Sequence, residues 1–180
     1  MTLVLALSLA TLVTPSLIVK DVNGVDRRPF EVAAGKASAL FFIIPDCPIS
    51  NFYAREIHRI CDDYAARGLS CALVYTDKTL TDAAVRTHAA AFGHGSYPWI
   101  VDRTHALVKA AGVTVTPEVV VVKEGGQIVY RGRIDDFYVG WGQSRRQVKQ
   151  HDLRDALDEV FAGSSVTNPE TKAVGCWVEP

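Results

Sequence analysis

The chain of 180 residues predicts an α/β sandwich built around a mixed sheet, and three observations carry that expectation. Two continuous apolar runs, ALFFII at 39–44 and CALVY at 71–75, have strand length and no polar alternation, as expected of central strands covered on both faces. Between and after them, apolar residues recur at helical spacing. The runs EVVVV at 118–122 and QIVYRGR at 127–133 flank Gly125-Gly126, a turn signal that pairs them as an antiparallel hairpin. Strands alternating with helices, closed by a hairpin and a covering helix, define such a layered architecture.

Each element has its own local cause. SLIVKD at 16–21 reads as a strand entering the Asn23-Gly24 turn. After 39–44 the apolar run breaks at Pro45-Asp46. Tyr53, Ile57, Ile60, Cys61 and Tyr64 then recur on one helical face, and Gly68 closes one long helix. Residues 79–92 are Ala-rich and helical, stopped by Gly93 and Gly95. A short strand at 99–101 and a short helix at 104–111, ended by Gly112, lead to the hairpin. The last helix, Asp152 to Phe161, turns Leu153, Leu157, Val160 and Phe161 to one face. Three segments are expected: an apolar segment at 1–15, the folded domain at 16–162, and a flexible tail at 163–180 carrying Cys176.

Composition narrows the function classes. Hydrophobic residues make up 48% and charged residues 22%, which excludes a disordered chain. A net charge of −1 with no basic stripe argues against a nucleic-acid partner. The first nineteen residues carry no charged side chain, and 3–13 has the length and Leu/Ala richness of a secretory signal. No Lys or Arg precedes the run, so a membrane anchor and a buried first strand stay open. Pro15 interrupts the only stretch approaching the ~20 apolar residues a membrane span needs, so no span is expected. Export, to a periplasmic or extracellular compartment, is the expectation.

The cysteines are Cys47, Cys61, Cys71 and Cys176. Their spacing suits neither a disulfide scaffold nor a zinc site. Cys61 and Cys71 read as apolar core fillers, with a bond between them left open. Cys47 is different, because it stands where a buried strand ends and a helix begins. The thiolate is the nucleophile, and a helix start with Pro48 in its first turn supplies unpaired N–H groups that favour the anion. Ser50 and Asn51 bring further donors. Cys47 is therefore the candidate reacting residue, expected to lie uncovered at the helix tip.

DCPISNFYAREI, VTPEVVVV and GGQIVYRGRID, in that order, with a DLRDAL helix and a tail AVGCW, resemble bacterial redoxin-domain proteins. The likeness spans about residues 16–180 and implies a thioredoxin-like three-layer sandwich. It is similar to the alkyl hydroperoxide reductase and thiol-specific antioxidant group and to exported thiol–disulfide reductases. The resemblance implies that Cys47 attacks, that Pro117 is a cis-proline facing it, and that Thr116 offers backbone hydrogen bonds to bound substrate. The substrate would be a protein thiol or disulfide, or a small peroxide, with a separate electron donor and no cofactor or bound metal. Two positions depart from the pattern. The second cysteine of dithiol motifs is replaced by Ser50, and the hydroxyl residue three positions before a peroxidatic cysteine by Ile44. Cys176 would then resolve the intermediate formed at Cys47. A spare thiol or a dimer cross-link stays open.

Two other classes remain: a redox-inactive binding module that keeps the cleft, and a copper carrier. The five histidines are dispersed, although His88 and His94 flank one loop, and copper carriers on this fold use two neighbouring cysteines that the linear sequence lacks. The RGRIDD cluster reads as solvated charge, with Arg133 reaching Cys47 as the less favoured alternative.

Overall fold

The computed structural model describes residues 17–95 and 97–179. The expected apolar segment 1–15 lies outside them. In chain order the elements are β1 (Val19–Lys20), β2 (Asp26–Arg27), β3 (Ala37–Ile43), α1 (Pro48–Phe52), α2 (Ala54–Ala65), β4 (Leu69–Tyr75), α3 (Asp82–Ala91), β5 (Trp99–Val101) and α4 (Ala106–Ala111). They continue with β6 (Val115–Thr116), β7 (Glu118–Lys123), β8 (Gln127–Gly132), β9 (Tyr138–Gly140), β10 (Gln143–Ser144), α5 (Asp152–Phe161) and β11 (Cys176–Trp177).

The main sheet has five strands in the order β5-β4-β3-β7-β8. β3, β4 and β5 run parallel, while β7 lies antiparallel to β3 and β8 antiparallel to β7. This is the mixed sheet that the apolar runs and the glycine hairpin imply. All seven residues of β3 are buried, because successive side chains alternate between two apolar layers. Phe41 and Ile43 join Ile57, Ile60, Val121, Leu153 and Leu157 on the face covered by α2 and α5. Leu40 and Phe42 join Val74, Leu107, Val108, Val120 and Val122 under α4. The result is a three-layer sandwich of thioredoxin type.

Several expectations change in detail. The single long helix after Cys47 is two helices, since Tyr53 caps α1 and opens α2. The first strand shortens to β1, which pairs with β2 around the Asn23-Gly24 turn. Cys61 and Cys71 are bonded to each other, with Cα atoms 6.1 Å apart, so they are not free core thiols. Their bond ties α2 to β4, because the helix end packs beside the strand.

The RGRIDD cluster is not solvated. Asp135 and Asp136 are buried, and Asp136 accepts hydrogen bonds from the Lys149 and Gln150 N–H groups while pairing with Arg145 at 2.9 Å. Those backbone donors and the arginine replace water around its carboxylate and hold its pKa below the ordinary range against the upward push of burial. Arg133 does not approach Cys47. It forms a forked pair with Asp152 at the start of α5, at 2.8 and 3.1 Å.

The tail is also not free. Arg131 donates its backbone N–H to Pro169 and accepts from Thr171, while its side chain pairs with Glu170 at 2.5 Å. Farther on, β11 forms an antiparallel ladder with β6, matching Cys176 to Thr116 and Trp177 to Val115. Backbone donors and acceptors along the edges of β8 and β6 find partners in this segment, and Val166, Val174, Cys176 and Val178 pack against the core, which together give it a fixed conformation.

Candidate active site

Cys47 sits at the junction predicted for it, as the N-cap of α1 at the end of the loop leaving β3, with Pro48 following in the first turn. Two opposing requirements shape its surroundings. The strand-to-helix turn must bring the sulfur to the carboxyl end of the parallel strands, and it must hold the thiol without a dithiol partner in the same motif.

The turn is held by a chain of side-chain bonds. The Asn51 amide donates to the Pro45 carbonyl at 2.7 Å, and its amide oxygen meets His88 Nε2 at 2.9 Å. His88 Nδ1 in turn meets the Tyr75 hydroxyl at 3.0 Å. With the amide oxygen turned to the ring, Nε2 is the donor, and in the neutral imidazole Nδ1 accepts from Tyr75. Burial lowers the His88 pKa, opposed by the negative charge of Asp46. Tyr53, at the other end of α1, donates to buried Asp135 at 2.5 Å.

The four residues predicted for the site come together. The Thr116-Pro117 peptide bond is cis, and the Cys47 thiol lies 3.2 Å from the Thr116 carbonyl oxygen. Cys176 is held beside both by the β6–β11 ladder, and the Thr116 hydroxyl donates to the Cys176 carbonyl at 3.4 Å. The Cys176 side chain is close enough to the Cys47 sulfur for each thiol to shift the pKa of the other. Both thiols are free. Thus two cysteines that the linear sequence separates are neighbours in space, which removes the ground on which copper was set aside. Among the described residues, no group of three or more His, Cys, Asp or Glu side chains is arranged to hold a metal ion.

One expectation fails. Cys47 is not uncovered, since its accessible surface is 0%. The sulfur faces Thr116 and Cys176, and the C-terminal strand lies along the β6 edge that borders it.

Electrostatics separate the two thiols. Burial pushes the Cys47 pKa up, but the Cys176 side chain and the N–H and hydroxyl of Ser50, as donors to the anion, outweigh it, and the net shift is downward. The Ser50 hydroxyl is buried and makes no hydrogen bond among the described residues, which leaves its proton available to a thiolate at Cys47. Cys176 is pushed up to about 12 by burial and by its hydrogen bond and charge interaction with Cys47. The pair favours one thiolate at Cys47 and one protonated thiol at Cys176.

Sequence reasoning did not find Tyr75 or His88 as supports of the Pro45 turn. Their strand and helix were legible, but the contact between them is made only by tertiary packing. A cavity of about 820 Å³, lined in part by Lys36, Lys123, Gln127 and Phe161, lies at the opposite end of β3 and β7 and includes none of the four site residues.

The fold and the family place the chain among thioredoxin-like thiol oxidoreductases. The family model for Redoxin matches residues 15–137, and the chain belongs to the redoxin family. Among curated proteins none matches the sequence. An uncharacterized conserved protein from Geobacillus kaustophilus superposes with a TM-score of 0.78 at 24% identity, covering 93% of this chain and 89% of that one. A hypothetical protein from Sinorhizobium meliloti 1021 gives 0.75 at 25% identity, over 92% and 91%. A secreted Mycobacterium tuberculosis disulfide oxidoreductase gives 0.52 at 16% identity, over 63% and 80%, and shares the fold.

Proposed function

We propose that this protein is a thiol–disulfide oxidoreductase in which Cys47 attacks and Cys176 resolves. The observation that carries the reading is the pair of free thiols facing each other beside the cis Thr116-Pro117 bond, with the Cys47 pKa lowered and the Cys176 pKa raised.

The chemistry is a pair of exchanges. The Cys47 thiolate attacks one sulfur of a substrate disulfide, forming a mixed disulfide and releasing the other sulfur as a thiolate that takes a proton from solvent. Once Cys47 is neutral, the charge that raised the Cys176 pKa is gone. Cys176 loses its proton and attacks the Cys47 sulfur, giving a Cys47–Cys176 bond and the second substrate thiol. Two protein thiols are oxidised and one substrate disulfide is reduced, and an external dithiol donor restores the start. The reverse sequence would oxidise a substrate dithiol. Ile44 places an alkyl side chain where a peroxide-orienting hydroxyl would stand, which favours a disulfide over a peroxide as substrate.

Export fits this chemistry. The Cys61–Cys71 bond belongs in an oxidising compartment, the Mycobacterium tuberculosis neighbour is described as secreted, and the opening apolar segment reads as a signal. Among the described residues, no helix is long and apolar enough to cross a membrane. The folded domain is assigned to 16–162, with 163–180 supplying the resolving cysteine.

The zero exposure of Cys47 favours one competing reading, a binding module whose thiol is inert. Insulin reduction and peroxide consumption, assayed side by side with a dithiol donor, separate them. The expected result is insulin reduction abolished by Cys47→Ser, and a Cys47–Cys176 peptide recovered after mild oxidation. Activity unchanged by that substitution, or no exchange at all, would leave the binding module.

A further inference from the structure

The edge of β6 beside Pro117 is occupied by the protein's own tail. Residues 176 and 177 pair with 116 and 115, and the Val178 N–H donates to the Thr114 carbonyl at 3.0 Å. We propose that this strand is a displaceable internal ligand that regulates access to the site, and that a polypeptide taking its place on the Thr116 edge must carry glycine before its cysteine.

Three observations lead there. First, Cys47 has no accessible surface, and Cys176 of β11 is its neighbour on the β6 edge, so a macromolecular substrate reaches the sulfur only after chain moves, and β11 occupies the edge it would use. Second, the strand is short. It is two residues long, Trp177 is 78% exposed and Glu179 is exposed, so its departure surrenders a few backbone hydrogen bonds and the partial burial of Val174, Cys176 and Val178 against the core. Its root stays tied, because Pro169, Glu170 and Thr171 are bonded to Arg131. Only 172–179 need move. Third, the edge reads sequence at one position. A β-carbon at Gly175 would collide with the Thr116 carbonyl and crowd the Pro117 nitrogen. Any strand lying in the same register, with its cysteine opposite Thr116, meets the same backbone and needs glycine before that cysteine. The position after it tolerates a large aromatic, since Trp177 points to solvent. Main-chain pairing supplies affinity, and the side-chain slots supply selection.

This rests on the proposed function for its consequence. Partner and tail cannot share one edge, so the tail's return expels the bound strand and brings the Cys176 thiol to the mixed disulfide in one movement. Being tethered, the tail competes at an effective concentration on the order of millimolar. A free peptide therefore binds the native chain weakly.

The test uses full-length protein and a labelled peptide of residues 173–179 carrying Cys176→Ser, so that no redox step enters. Fluorescence anisotropy is measured on the native chain and on two variants that loosen the tail, Gly175→Val and Val178→Pro. The second removes the donor to Thr114 together with the packing of the Val178 side chain against the core. Amide exchange across 114–116 reports release. Both variants should exchange faster and bind the peptide at least roughly tenfold more tightly than the native chain, and a peptide that also carries Gly175→Val should not bind. Unchanged exchange in both variants, equal affinity across all three proteins, or equal binding of the valine peptide would each overturn the proposal. Loss of insulin reduction with peptide exchange retained would instead count against the redox reading alone. Redox activity retained with no peptide bound would sink only the present inference.

Discussion

Ser50 stands where a dithiol motif has its second cysteine, and its buried hydroxyl, which makes no hydrogen bond among the described residues, is a donor available to a Cys47 thiolate. A hydroxyl can stabilise a thiolate but cannot form a disulfide with it, so the second redox equivalent has to come from elsewhere. In the proposed exchange, Cys176 supplies it from the far end of the chain. This division of labour has a titration signature. Thiolate absorbance should show one thiol ionising below the ordinary value of roughly 8.5 and another near 12. Removing a donor to an anion raises its pKa, so Cys176→Ala and Ser50→Ala should each move the first transition upward. An unchanged transition in both variants would mean that neither group is bonded to the sulfur. Asn51 acts one step away. Its loss should loosen the Pro45 turn and slow insulin reduction, while substrate-free Cys47 titration moves less than in Ser50→Ala.

At the scale of elements, two devices hold α2 against its neighbours. The Cys61–Cys71 bond closes a sequence separation of 10 between α2 and β4. Replacing both cysteines with alanine should cost about 2–3 kcal/mol by the chain-entropy account, read as a lowered urea midpoint. Ile57, with no exposed surface beneath α2, should cost ~2–5 kcal/mol when cut to alanine, because its layer cannot collapse fully into the space.

The second device is pH-sensitive. His58 Nε2 lies 3.1 Å from His94 Nδ1, joining α2 to the loop after α3. Burial and the charges of His58 and His88 press His94 down to about 4. An unfolded histidine takes its proton near pH 6.5, so between about 6.5 and 4 the unfolded chain binds more protons than the native one. This stabilisation is therefore complete above about 6.5 and is lost progressively on acidification towards 4. The melting temperature should fall as pH drops from about 7 to about 5, and less steeply in His94→Gln. Equal slopes in both proteins would show that the histidine contact does not carry the effect.

At the scale of the whole molecule, the chain closes on itself twice, at Arg131 with 169–171 and at Thr116 with Cys176. The second closure both hides Cys47 and supplies its partner. A Cys176→Ser chain should accumulate a mixed disulfide with an insulin-derived peptide, since resolution has lost its thiol. Mass spectrometry under non-reducing conditions reads this directly, and rapid turnover without accumulation would assign resolution to another thiol.

The sequence by itself determined the layered α/β fold, the hairpin, the strand-to-helix station of Cys47 and the likeness to redoxins, because hydrophobic period, turn glycines and proline placement are local signals. It misplaced what depends on distant neighbours. Asp135 and Asp136 look solvated until backbone donors and Arg145 are seen to replace their water. The helix after Cys47 looks continuous until Tyr53 is seen reaching across to Asp135. Cys176 looks loose until its strand is seen on the β6 edge. Only the tertiary structure decided that Cys47 is buried and which strand lies beside it, since a two-residue ladder between the C-terminal segment and a mid-chain strand leaves no periodicity to read.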